Sequence, residues 1–135
     1  MESEIMTRIK IAYVLSAALV LFVLYFGSGY VFFPATQTGG FGLPVMPSEG
    51  DPILAVKGVR DIGTALVVLA LLLFRNARAL GWAMLAMAFI PFGDMLIVLT
   101  HNGSVGAALG IHGATCALML GISALFLIRP ARNEQ

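Results

Sequence analysis

The sequence predicts an all-α integral membrane protein: a bundle of four transmembrane helices, with both chain ends on the cytoplasmic side. Three observations carry that expectation. The 135 residues are 59% hydrophobic and only 11% charged, with a mean hydropathy of +0.95, whereas soluble domains carry about a quarter charged residues. Four stretches, about residues 10–33, 53–74, 79–99 and 106–128, meet the length of about 20 apolar residues needed to cross a bilayer core. The Lys and Arg residues outside those stretches fall on alternate connections, as the positive-inside rule requires. The whole chain, 1–135, reads as one transmembrane domain.

The first span, with its apolar run from about Ile11 to Phe33, exceeds the 7–15 apolar residues typical of a signal peptide. Glu2 and Glu4 also spoil a basic leader, so a retained helix is expected. Pro34, Pro44, Pro47 and Pro52 with Gly39, Gly40, Gly42 and Gly50 predict a loop between the first two spans. Asp51-Pro52 has the form of an N-cap followed by proline at the first helical position. Arg75-Asn76-Ala77-Arg78 predicts a short turn before the third span, and Thr100 to Val105, with His101, Asn102 and Gly103, another before the fourth. Pro130 is placed to end the last span.

Arg8 and Lys10 precede the first span, Arg75 and Arg78 separate the second and third, and Arg129 and Arg132 follow the fourth. A cytoplasmic N-terminus puts all six on the cytoplasmic side. The opposite connections hold only the acids Glu49 and Asp51. Trp82, Tyr30, Phe32 and Phe33 sit near span ends, where aromatic belts form. In a bacterium this topology implies the cytoplasmic (inner) membrane, with the lipid bilayer as the first partner.

A formal charge of +1 with no basic patch argues against nucleic acid. The single Cys116 excludes an internal disulfide and a Cys-rich metal site. Asp94, His101 and His112 lack tight ligand spacing, a weak signal for a metal. No Gly-rich phosphate loop or heme motif is present, so no cofactor is expected. Oligomeric state is not fixed by the sequence.

The two remaining basic residues, Lys57 and Arg60, lie inside the second span with Asp61. Asp94 lies in the third, His112 in the fourth, and His101 just beyond the third. A charge within a span costs about 2.5–3.5 kcal/mol on insertion scales, which makes such residues functional candidates. The topology sets Asp61, Asp94 and His112 at one level in the outer third of the membrane, Asp61 roughly 10–12 Å along its helix at 1.5 Å per residue. Lys57, Arg60, Asp61 and Thr64 share one helical stripe, Asp94 and His101 another, and His112, Thr115, Cys116 and Met119 a third. Pro91 should kink the third span and free the Met87 carbonyl. Tyr25, Ser28 and Tyr30 bring the first span to the same level.

Each residue also has a plainer role. Lys57 can snorkel to the interface, and Arg60 with Asp61 or Asp94 can be an ion pair that fixes helix register. His112 can donate to a backbone carbonyl, and His101 can be a solvated turn residue. Cys116 reads as core, because nothing nearby lowers its pKa. Gly106, Gly110, Ala114, Ala117 and Gly121 form a small-residue stripe expected to seat a neighbouring helix of the bundle. The seven methionines fill apolar gaps.

Phe41-Gly42-Leu43-Pro44, Lys57-Gly58-Val59-Arg60-Asp61, Pro91-Phe92-Gly93-Asp94 and His112 together resemble a group of small four-helix membrane proteins of unknown function, similar to the wider DoxX-like set. The resemblance covers about residues 10–128. It implies the four-helix architecture and directs attention to Arg60, Asp61, Asp94 and His112. DoxX-like relatives are associated with quinone-linked or redox membrane complexes, which reaches this chain only as analogy.

Three functions fit. The first is a protein that binds a lipophilic small molecule in an outer-leaflet polar pocket, extending to an acid/base enzyme of isomerase, cyclase or epoxide-opening type. Asp94, His112, Asp61 and Arg60 would then be catalytic, and Lys57, Thr64, Tyr30, Thr115 and His101 would hold the substrate. The second is a proton-coupled transporter or channel using Asp94, Asp61 and His112 as a relay; the dry stretches Leu66 to Phe74 and Ala117 to Ile128 argue against a continuous water path. The third is a subunit or assembly factor of a larger membrane complex. Charges converging at one level favour the first.

Overall fold

A computed structural model describes residues 2–128; Arg129, Pro130 and Arg132 lie outside the described residues. The fold is all-α. Its five helices are α1 (Glu2–Phe32), α2 (Pro34–Phe41), α3 (Pro52–Leu73), α4 (Ala77–Thr100) and α5 (Val105–Leu127). Three of them, over Ser3–Phe32, Ala77–Thr100 and Val105–Leu127, are long and apolar enough to cross a membrane. α3 matches them in length; its charges Lys57, Arg60 and Asp61 set it apart in composition. Large apolar side chains stand exposed on every long helix, among them Leu21, Val59, Phe89 and Leu109. Extensive apolar exposure of this kind is what a lipid-facing surface requires.

Local chemistry sets the boundaries. Asp51 accepts from the Ile53 N–H at 2.9 Å and Pro52 opens α3, as the sequence predicts. Asn76 accepts from the Ala79 N–H at 3.0 Å to start α4, and Ser104 accepts from the Ala107 N–H at 3.2 Å to start α5. Between these caps, Arg75 and Asn102 take positive φ to reverse the chain.

The first connection departs from expectation. Residues Pro34–Phe41 are helical where proline and glycine suggested loop. Pro34 holds the first helical position, where its missing N–H costs nothing, and Gly42 closes the helix at φ 99°. The segment folds back on α1: a β-carbon on Gly29 would sit 2.5 Å from the Gln37 side chain.

α1 packs antiparallel against α3, α4 against α5, and α1 also contacts α5. The core lies toward the end carrying the α3–α4 turn, where Leu80, Met84, Ile122 and Phe126 are buried. Tyr13 meets Phe126 edge-on at 5.2 Å between ring centroids. α5 turns Ala108, His112, Cys116, Met119 and Ile122 inward. The small-residue stripe points the other way. Gly106, Gly110, Ala114, Ala117 and Gly121 are all exposed, with open space around Gly110 and Gly121. It does not seat a helix of this bundle, because the larger side chains on the opposite face of α5 make those contacts.

Candidate functional site

Two glycines bring the ionisable residues to one place. A β-carbon on Gly58 would lie 2.5 Å from the Gly27 carbonyl oxygen and 3.1 Å from the Tyr30 β-carbon. The missing side chains let α1 and α3 cross at backbone distance. That crossing sets the Lys57 ammonium over the Tyr30 ring at 4.4 Å, a cation–π contact. Lys57 Nζ also donates to Asp61 Oδ2 at 2.6 Å, one turn along the same helix. Thr64 bonds back to the Asp61 carbonyl at 2.8 Å.

Pro91 supplies the next wall. It has no N–H for the Met87 carbonyl, and α4 breaks at Ala88 into Ala77–Met87 and Phe89–Thr100. α3 touches the first half near their shared turn, while the second half packs on the start of α5. Asp94, on the second half, therefore faces α5 across a gap that α3 does not fill.

On α5 the turn Ala108–Gly113 is a π-helix, one residue wider than an α-turn. His112 sits in it, buried. Its Nε2 donates to the Phe41 carbonyl at 2.8 Å, and its ring meets the Phe41 ring at 4.7 Å. A carbonyl only accepts, so Nε2 carries a proton. Nδ1 is left facing Asp94 Oδ2 at 4.0 Å. The plain expectation of a histidine bonded to a backbone carbonyl is met, and the same bond aims the other nitrogen at a carboxylate.

α2 closes the top. The Gly42 carbonyl accepts from Ser104 N–H at 2.7 Å, pinning the end of α2 to the α4–α5 turn. Gly103 is required there, since its β-carbon would lie 2.5 Å from that same oxygen.

Together these elements enclose a cavity of about 180 Å³, within a cleft whose empty volume, mouth included, is about 1050 Å³. Tyr30, Lys57, Asp61, Thr64, Asp94, His112 and Thr115 all line it. These residues lie toward the α2 end. Farther along the axis the lining is apolar, with Leu19, Val20, Val68, Met87 and Met119. Tyr30 and Leu19 are separated by roughly 16 Å of helix axis at 1.5 Å per residue. The cleft is thus polar at one end and greasy along its length.

Two candidates fall outside it. Arg60 is half exposed and off the cleft wall; its guanidinium reaches Asp61 Oδ1 at 3.3 Å from the outside. His101 caps α4, with Nδ1 against the Ile97 carbonyl at 2.9 Å, and is exposed. It shares no site with Asp94, because the helix ends at Thr100 and the extrapolated face ends with it. The lining that α2 contributes, Gln37, Gly40 and Phe41, went unpredicted, as did the apolar lining of the other helices. The signal for the α2 residues was Pro34 opening a segment that Gly42 closes eight residues on. No group of three or more His, Cys, Asp or Glu suited to a metal occurs among the described residues.

A family profile described as a domain of unknown function, DUF4267, matches residues 20–126. The chain belongs to the DUF4267 family. The match spans the Gly27–Gly58 crossing, the Pro91 break, Asp94 and His112, so all of the cleft lining except Leu19 lies within the family's domain. No curated protein and no solved structure matches the chain.

Proposed function

We propose that this chain is a four-span protein of the cytoplasmic membrane, with both ends inside, that binds a lipophilic small molecule in the cleft. α3 serves as the fourth span, its charges turned to the cleft or to the interface rather than to hydrocarbon. Lys and Arg confined to one set of connections support the orientation. The four-helix plan also agrees with the likeness to DoxX-like proteins, which extends to architecture alone.

The observation that carries the ligand reading is the polarity gradient of the cleft. A ligand would place its polar end between Asp94, His112 and Asp61, and its apolar body against Leu19, Val68 and Met119. Asp94 and His112 form an acid/base couple across 4.0 Å, placed to move a proton on that polar end. Lys57 and Asp61 neutralise one another and shape the wall. The packed core beyond the cleft, with Leu80, Met84 and Ile122 fully buried, supports binding over conduction.

The test is direct. The protein is purified in mild detergent, and bound small molecules are extracted and identified by mass spectrometry. A stoichiometric lipophile retained by the wild type and lost in Val68→Trp, which fills the cleft, is the expected result. An empty cleft in both, with no lipophile bound on addition, would refute the reading. Reporters fused at Met46 and Asn76 check orientation; Met46 should report outside and Asn76 inside.

A further inference from the structure

The cleft's charges specify which end group it takes. Lys57 is the one Lys or Arg among the described lining residues, and it is closed onto Asp61 at 2.6 Å. An anionic head group, whether carboxylate or phosphate, would find no free cation. Asp94 is the reverse case. Its side chain is 20% exposed into the cleft, and no hydrogen bond reaches its carboxylate among the described residues. His112 Nδ1 stands 4.0 Å from it, too far to bond. Phe22, Phe26, Tyr30 and Phe41 line the same cleft; Tyr30 and Phe41 already hold the Lys57 ammonium, at 4.4 and 5.4 Å, and Phe22 and Phe26 add two further rings of the kind that favour a cation.

The other charged or titratable groups around Asp94 are Tyr30 on α1, Lys57, Arg60 and Asp61 on α3 and His112 on α5; α2 contributes none. Lys57 is closed onto Asp61, Arg60 reaches Asp61 from outside the cleft wall, and the His112 Nε2–H is committed to Phe41.

We propose that the cleft selects a lipophilic amine, bound as its ammonium against Asp94 among the aromatic rings. The inference rests on the cleft being a ligand site, and it adds the class of head group.

The test uses radiolabelled decylamine on the full chain in phosphatidylcholine nanodiscs, with empty nanodiscs as background. Decanol and decanoate are the competitors, matched in chain length. The expected result is one decylamine per protein, bound at least about tenfold more tightly than decanol, with decanoate ineffective. Asp94→Asn should bring the amine-to-alcohol preference close to one. Should that variant fail to fold, the wild-type preference decides alone. Decanol binding as well as decylamine overturns the amine inference and leaves the cleft a site for neutral lipophiles. Displacement by decanoate as strong as by decanol also overturns it. No saturable binding of any of the three overturns the ligand reading itself.

Discussion

Gly27 and Gly58 meet so closely that one added methyl group on Gly58 would stand 2.5 Å from the Gly27 carbonyl oxygen. Backbone cannot yield as a side-chain tip can, so Gly58→Ala must push α1 and α3 apart. We expect a loss of about 1–3 kcal/mol, the range for overpacked cores, read as a lower unfolding temperature in detergent. Gly63→Ala on the same helix meets open space and should be neutral or stabilising by about 0.5–1 kcal/mol.

Lys57 and Asp61 form a pair that should behave non-additively. Asp61→Asn leaves the Lys57 ammonium half-buried against Tyr30 with its carboxylate gone. The expected destabilisation is about 1.5–3 kcal/mol, that of a hydrogen bond to a charged group. Adding Lys57→Met to that variant should recover part of the loss, because the orphaned charge goes too. A double-mutant cycle on unfolding temperatures measures this.

The cap over the cleft depends on one backbone conformation. Gly42 has φ 99°, and a β-carbon there would also lie 2.5 Å from Ala107. Gly42→Ala should cost about 1–3 kcal/mol of local strain and loosen α2. Hydrogen exchange is the measurement: amides of residues 35–41 should exchange faster, while those around Leu80 and Met84 hold.

Pro91 trades helix continuity for space. Pro91→Ala returns an N–H to the Met87 carbonyl, and interior proline costs about 3 kcal/mol or more. The variant should unfold at a higher temperature and retain less lipophile after purification, because a straighter α4 narrows the gap to α3.

Much of this fold was legible, for simple reasons. Membrane-length apolar runs are long and uninterrupted, and Asp51, Asn76 and Ser104 stop or start them chemically. All four predicted spans fall within about two residues of observed helix ends, except that α1 begins earlier, at Glu2. The site was harder. Arg60 and Asp61 are neighbours in sequence and point about 100° apart on a helix, so a stripe drawn through both was too wide, and only Asp61 faces the cleft. α2 was hidden because its punctuating residues, read singly, signal loop; read as a pair they mark the two ends of a helix. The π turn left no trace in the pattern; the partner that His112 meets from within it, Phe41, lies 71 positions earlier in the chain.

That wide turn has a consequence for how the protein can vary. An inserted residue shifts everything before it by one position relative to everything after it. The first turns of α5 can therefore rotate to aim His112, while Cys116 through Phe126 keep their register on α1 and α4. Chemistry and scaffold are geared separately within a single helix. Deleting one residue between Ala108 and Gly113 would mesh the two gears again and swing the imidazole away from Asp94, with the bundle beneath left in place.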